Sequence, residues 1–345
     1  MTILRIPGAA KFCSAALLAR LGGAMIGIGI VLMVSGIYGS YGLAGGLAAV
    51  NAIAWAIGTA ILSWLVDRHG QRKIMLPAAL VSAAALAGMV IAAYFTAPLI
   101  WLFVFSALSG FTNGSPGAMV RARWNNILHS ASDLHTAYAL ESTLDEIGFI
   151  VGPVLATWLA TSFHPTAGLV APVILMAGGA MIFYSLTATQ PPVLPLDVDA
   201  SGRGRFILTY RGLAPVVSVG LLMGCMFGSI DVTVVAATTG WESRSLAGVI
   251  LAVCSVGSAL GGLLYGARGW SSPLWKRFAI GVTLTGVTAC SFLLVTNPLM
   301  LGIFGLIWGF SIAPTFINAN GLIGQIVPAS RLTEGLAWLG TTIGI

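Results

Sequence analysis

Long apolar stretches recur along the whole chain and are separated by short polar segments or by Pro and Gly. A helix needs about 20 mainly apolar residues to cross the hydrocarbon of a bilayer. We therefore predict an all-α membrane protein with ten complete spans and an eleventh that begins near Leu332. The ten are placed at residues 14–38, 43–66, 74–95, 98–120, 136–161, 167–189, 212–237, 246–266, 275–296 and 299–324.

The composition excludes a water-soluble protein. Hydrophobic residues make up 57% of the chain and charged residues only 8%, against roughly a quarter in a soluble domain.

The four cysteines lie far apart in apolar runs, and their spacing indicates neither a disulfide framework nor a zinc site. No histidine belongs to a ligand set. We therefore expect no metal and no cofactor.

Basic residues concentrate on one side of the predicted spans, which fixes an expected orientation under the positive-inside rule. On that side lie Arg5, Lys11, Arg68, Arg72, Lys73, Arg121, Arg123, Arg203, Arg205, Arg211, Arg268, Lys276, Arg277 and Arg331. Only Arg244 lies on the other side, and Arg20, near the inner end of the first span, is expected to snorkel towards the headgroups. We predict a multi-pass protein of the inner (plasma) membrane with a cytoplasmic N-terminus. The net charge of +6 then needs no nucleic-acid partner.

The segment at residues 190–209 is rich in Pro and charge and separates six spans from the rest. We interpret it as a cytoplasmic linker between an N-terminal six-helix bundle at 1–189 and an incomplete C-terminal bundle at 210–345. An offset of 199 residues brings glycines of the two parts into register, which favours a parallel internal repeat. The register pairs Gly58 with Gly257, Gly70 with Gly269 and Gly110 with Gly309.

The segment SWLVDRHGQRKIML, residues 63–76, joins the second and third spans. It is predicted to form a tight turn in which Gly70 permits a left-handed backbone and Asp67 caps the third helix or lies at its N-terminal dipole. An ordinary basic loop is the alternative interpretation. The spacing resembles the signature of the major facilitator superfamily, Gly-x-x-x-Asp-Arg-x-Gly-Arg-Arg/Lys, with Ser63 and Gln71 as departures. The matching residues are Asp67, Arg68, Gly70, Arg72 and Lys73.

This resemblance implies the fold, the activity and one role. The fold would be two six-helix bundles that move a small solute by alternating access, and Asp67 would help to lock the cytoplasmic side by facing helix N-termini and basic groups of the other bundle. The family plan has twelve spans, so we expect this bacterial-type chain to be cut off within the eleventh. A fragment or a truncated gene would explain that, and about 50 further residues would complete the repeat.

The fifth predicted span carries Gly148, Gly152 and Pro153, which resemble a Gly-Pro motif of the family's antiporters in the same helix. We expect a smooth glycine face for close packing and a kink at the proline. The motif favours export. In the fourth span Ser106 stands where such antiporters often carry Arg, and Arg121 and Arg123 further along are expected to be surface anchors or gate residues.

Acidic residues inside spans are costly and are functional candidates by default. Glu141, Asp145 and Glu146 lie in the fifth span, and Asp231 lies in the seventh. Glu141 and Asp145 share a helix face, so each would disfavour ionisation of the other. Alternatively, the acids are solvated near the headgroups or paired with Arg121 or Arg123. The resemblance places Asp231 beside the pathway, while its position late in the span favours a place near the outer surface.

Uncharged polar residues recur at helical spacing in two other predicted spans. They suit a cavity wall or hydrogen bonds between helices. They are Asn113 and Ser115 in the fourth span and Ser311, Thr315, Asn318 and Gln325 in the tenth.

The sequence therefore predicts a monomeric secondary transporter that exports a small-molecule solute, with protons as the coupling ion and Asp145 ahead of Asp231 as their carrier. Uptake or facilitated diffusion by the same fold is the first alternative, and a channel or a non-transporting receptor is the second. An enzyme is disfavoured, because the chain has no HExxH, GxSG-type or phosphate-loop motif.

Overall fold

The computed structural model describes residues 2–195, 206–242 and 246–344, with the backbone alone at 2, 231, 235 and 239. The regular elements in these ranges are helices, with short 3-10 turns between them. The α-helices are α1 (Ala9–Tyr38), α2 (Tyr41–His69), α3 (Gln71–Tyr94), α4 (Leu99–Asn113), α5 (Pro116–Ile127), α6 (Ala131–Ser162), α7 (Ala167–Ser185), α8 (Leu213–Gly240), α9 (Leu246–Ala267), α10 (Leu274–Cys290), α11 (Pro298–Ile326) and α12 (Leu332–Gly344). We refer to α1–α7 as the first half and to α8–α12 as the second half.

Within the described ranges, nine helices are long and apolar enough to cross a membrane. They are α1–α3 and α6–α11, with α10 counted together with the 3-10 turn that extends it to Leu294, and they agree with the predicted spans to within a few residues. The prediction of an all-α membrane protein is confirmed. The remaining helices, α4, α5 and α12, are shorter than a full span.

The fourth predicted span, placed as one helix at 98–120, is instead two helices that meet at Gly114. Gly114 adopts φ 63° and ψ −156°, a backbone conformation that L side chains rarely take. Pro116 then opens α5, where its missing N–H is harmless, and the Ser115 hydroxyl accepts from the Ala118 N–H at 3.4 Å. The carbonyl freed at Gly114 accepts from the Trp55 indole at 2.8 Å. The apolar pattern alone did not reveal this break.

One end of the helix bundle collects most of the basic residues. It includes the turn between α2 and α3, the start of α6, and the junctions of α9 with α10 and of α11 with α12. These segments contact one another in pairs, since the Asp67 carboxylate accepts from the N–H groups of Thr333 and Glu334 and the His135 ring lies 3.3 Å from the Tyr265 carbonyl. We call this end the basic face and the other end the opposite face.

Glycines allow two pairs of helices to cross at backbone contact. A Cβ on Gly58 of α2 would overlap the Phe111 carbonyl of α4, and one on Gly257 of α9 would overlap the Leu306 carbonyl of α11. Gly110 and Gly309 approach the backbone of the partner helix in the same two crossings. The glycines aligned by the 199-residue offset therefore lie at equivalent helix crossings in the two halves.

Gly58→Ala should destabilise the protein, because the added methyl can be accommodated only by separating α2 from α4. Overpacking of this kind lowers the free energy of unfolding by about 1–3 kcal/mol. We expect a lower thermal unfolding midpoint in detergent than that of Gly178→Ala, a control in α7 where an added Cβ meets nothing within 4 Å. Equal midpoints for the two variants would contradict the close crossing.

Candidate functional site

A buried cluster of four charged side chains joins α1, α5 and α6. Arg20 of α1 lies between two acids of α6, with its guanidinium 2.5 Å from the Glu141 carboxylate and 2.7 Å from that of Asp145. Arg121 of α5 lies 2.8 Å from the other Asp145 oxygen. The Glu141 side chain is fully buried, both arginines are 9% exposed, and Asp145 is 26% exposed. Two positive and two negative charges offset one another, which is the condition for tolerating them there.

Neutral donors complete the surroundings of Glu141. The Trp124 indole donates to Oε1 at 2.6 Å, and the Cys13 thiol lies 3.3 Å from the same oxygen. With Arg20 on the other oxygen, both carboxylate oxygens are occupied. Glu141 is therefore a structural acid whose partners come from α1 and α5.

The cluster corrects two expectations. Arg20 does not snorkel to the headgroups, because its guanidinium turns inwards to the acids of α6. Glu141 and Asp145 do share a helix face, but they are not an isolated pair of acids, since Arg20 lies between them. The alternative of a partner in Arg121 holds for Asp145.

Arg123 does not join the cluster. It is fully buried and donates to Gln71 Oε1 at 2.8 Å, to the Leu186 carbonyl at 2.7 Å and to Thr189 at 3.1 Å. Its guanidinium also lies over the Phe183 ring. Arg123 is therefore not a surface anchor: it ties α5 to the start of α3 and to the end of α7. Gln71, a departure from the family signature, is one of its acceptors.

Asp67, at the basic face, contacts the second half. Its carboxylate accepts from the backbone N–H groups of Thr333 at 3.3 Å and Glu334 at 2.9 Å, in the first turn of α12. It does not cap α3 as expected, since the N-cap position of α3 is Gly70 with φ 89°. An anion at a helix N-terminus is favourable because of the unpaired N–H groups and the helix dipole.

The neighbours of Asp67 in the signature have other contacts. Arg68 stacks over the Trp64 ring at 3.7 Å. Arg72 and Lys73 are exposed and line an open pocket with His69. Arg331 and Glu334 form an ion pair at 2.7 Å beside the Asp67 contact.

The two halves also meet along α6 and α9, near the basic face. Gly266 packs against Ala139, and Gly262 packs against Thr143. One turn further from the basic face, the Ser258 hydroxyl donates to the Glu146 carboxylate at 2.7 Å. Ser258, which sequence reasoning missed, gives no signal in the pattern because serine is common in packed membrane helices.

The other predicted site residues lie apart from these contacts. Gly152 packs against Ala24 of α1, but an added Cβ at Gly148 would meet nothing, so the expected glycine face is only partly used. Helix α6 continues through Pro153. The Ser106 hydroxyl donates to the Leu47 carbonyl at 2.8 Å.

The predicted polar stripes are used in different ways. Asn113 is half-buried at the end of α4, and Ser115 caps α5. Asn318 accepts from the Tyr265 hydroxyl at 2.9 Å, a bond between α11 and α9. The side chain of Asp231 lies outside the described part of the chain, so its predicted place by the pathway stays a prediction.

Comparisons with solved structures support a transporter fold at low sequence identity. The chain is similar to FucP, a Major Facilitator Superfamily transporter in the outward conformation, with TM-score 0.75 and 13% identity over 98% of this chain and 88% of that one. It is similar to the human organic anion transporter MFSD10 (TETRAN), with TM-score 0.74 and 14% identity over 97% and 89%. A bacterial homologue of the iron transporter ferroportin in an outward-facing state gives TM-score 0.73 and 12% identity over 97% and 89%.

Sequence comparison identifies the family. No curated protein sequence matches the chain significantly. The sequence profile described as Major Facilitator Superfamily, however, matches residues 12–345. That match covers nearly the whole chain and agrees with the signature around Asp67. The chain therefore belongs to the major facilitator superfamily and is a multi-pass membrane transporter.

Proposed function

We propose that the protein is a secondary active transporter that exports a small solute across a bacterial inner membrane in exchange for protons. Two bundles, residues 1–189 and 210–345 joined by the linker 190–209, would expose a central site to each face in turn. The observation that carries the proposal is where the halves meet: Asp67 with α12, and α6 with α9, both towards the basic face. Contacts between the halves at the basic face are what we expect of a transporter whose central site is open at the opposite face.

The excess of basic residues supports a cytoplasmic basic face and a cytoplasmic N-terminus. The described conformation would then be closed to the cytoplasm. The similarity to FucP and to the bacterial ferroportin homologue, both solved in outward states, favours the same interpretation.

Asp145 is the first proton-carrier candidate of the proposal, with Asp231 as the second. Asp145 is the most exposed member of the ionic cluster, so water in a central site can reach it. A carboxylate held by two guanidinium groups can act as a carrier only if those groups are released or shared with a solute during the cycle. The carrier assignment remains a prediction.

Proteoliposomes test the function. A panel of amino acids, sugars, organic anions and organic cations is screened by counterflow, and any solute that moves is then challenged with an imposed proton gradient. We expect the gradient to drive uphill movement. If Asp145 is the carrier, Asp145→Asn should retain counterflow but lose the gradient response. Counterflow without any gradient response would indicate facilitated diffusion, and ion conductance without solute movement would indicate a channel. Either result overturns the proposal.

A further inference from the structure

We propose that Glu146 is the group at which closure of the basic face binds a proton, with Ser258 as its partner across the interface between the halves. The inference rests on the proposed function, which it deepens by assigning the proton step to a particular contact between α6 and α9. It places Glu146 ahead of Asp145, the first carrier candidate above, so Glu146→Gln rather than Asp145→Asn should lose the response to a proton gradient.

The contact is local and lies between the halves. The Glu146 carboxylate of α6 accepts from the Ser258 hydroxyl of α9 at 2.7 Å, and Ser258 is only 1% exposed. Among the described residues Glu146 forms no ion pair, unlike its neighbours Glu141 and Asp145. Glu146 is therefore an acid of the α6 span held by a hydroxyl alone.

The three acids differ in whether their contacts change when the halves move relative to each other. Glu141 and Asp145 bind Arg20 and Arg121, which belong to the same half, so a rigid movement of the halves leaves those contacts intact. Ser258 belongs to the other half and must separate from Glu146 when the basic face opens. The surroundings of Glu146 therefore change with each cycle.

Among the described residues, no cation forms an ion pair with Glu146. Helices α7, α9 and α11 contain no Lys, Arg, His, Asp or Glu, and their titratable side chains are Tyr184, Cys254 and Tyr265. From α1 and α5, Arg20 and Arg121 are held by Glu141 and Asp145, and Asp145 adds a negative neighbour.

An unpaired carboxylate in a closed, dehydrated interface is costly, whereas a neutral carboxylic acid is tolerated when it is hydrogen-bonded. A serine hydroxyl can donate to the ionised form or accept from the protonated one, so the Ser258 contact survives protonation. Closure of α6 against α9 therefore favours protonated Glu146. Glu146 is only half-buried, so in the closed arrangement it takes its proton from water that enters at the open opposite face. When the basic face opens, Glu146 meets water there and the proton leaves on that side, which moves one proton per cycle from the opposite face to the basic face.

Hydrogen–deuterium exchange of the full chain in lipid nanodiscs tests the inference without a known solute. Glu146→Gln mimics the protonated acid, so peptides covering 131–146 and 258–267 should exchange roughly tenfold more slowly than in wild type at about pH 7.5. His135→Gln is introduced into both proteins, because the titratable His135 ring lies 3.3 Å from the Tyr265 carbonyl across the same interface. After correction for intrinsic rates, the protein with Glu146 should then approach the Glu146→Gln variant at about pH 5.5, and that variant should no longer respond to pH. Asp133→Asn, the same carboxyl-to-amide change at an exposed acid in the first turn of α6, should keep the pH response.

The result that overturns the inference is a Glu146→Gln variant whose exchange still responds to pH as wild type does. If that happens while a proton gradient drives solute in proteoliposomes, the proton carrier lies elsewhere and the proposed function stands. If no gradient drives any solute in wild type, the proposed function fails whatever the exchange experiment shows.

Discussion

Asp67→Asn should insert and fold normally but transport its solute roughly tenfold more slowly than wild type. The carboxylate accepts from two backbone N–H groups of α12, those of Thr333 and Glu334. Asparagine keeps one acceptor oxygen and loses both the second acceptor and the charge. A side-chain cap stabilises a helix by about 1 kcal/mol. The interaction of a negative charge with the helix N-terminus contributes a further stabilisation of at most about 1 kcal/mol.

The size of the effect follows from what the contact joins. Asp67 belongs to α2 and its partners to α12, so the lost free energy falls on the closed arrangement of the halves and hardly on the fold of either half. A loss of about 1.4 kcal/mol changes an equilibrium tenfold. The variant should therefore open the basic face too readily and fail to hold the conformation that the cycle requires.

Asp133→Asn is the matched control, because Asp133 is an exposed acid in the first turn of α6, at the same face of the molecule. Counterflow of the solute identified by screening, together with hydrogen exchange in residues 331–338, would compare the two variants. Transport by Asp67→Asn at the wild-type rate across a range of pH would show that the contact has no gating role and that the loop acts only as a topology signal.

The sequence predicted the positions of the helices better than the contacts between them. Apolar length fixed most spans because a bilayer sets how long an apolar helix must be. It missed the break at Gly114, because an apolar window does not distinguish one helix from two that meet at a left-handed glycine. The following Pro116 was the available signal, since a proline is well placed at the first position of a helix.

The partners of the acids could not be predicted from spacing. Arg20 and Glu141 are 121 positions apart and meet only because α1 packs beside α6. Sequence spacing reports neighbours on one helix, three or four residues apart, and is silent on which other helix lies alongside. The presence of an arginine within a span was itself a signal of a buried partner, and Arg20 could have been chosen as a site residue on that ground.

Arg20→Met should be the most destabilising of the substitutions considered, because it leaves Glu141 fully buried with only Trp124 and Cys13 as partners. Breaking a buried ion pair by removing one member costs about 3–5 kcal/mol. We expect a lower yield of folded protein and a markedly lower unfolding midpoint in detergent. Arg72→Met is the control, since Arg72 is exposed and its side chain forms no ion pair within the described residues.

The second variant of this test separates charge balance from packing. Adding Glu141→Gln to Arg20→Met removes the orphaned charge and leaves the Arg121–Asp145 pair intact. If unpaired charge causes the loss, the double variant should be more stable than Arg20→Met alone, a coupling that a double-mutant cycle measures directly. If the double variant is no more stable than Arg20→Met, the guanidinium of Arg20 acts through its packing between α1 and α6. An Arg20→Met midpoint equal to that of Arg72→Met would mean that the cluster contributes nothing to the stability of the first half.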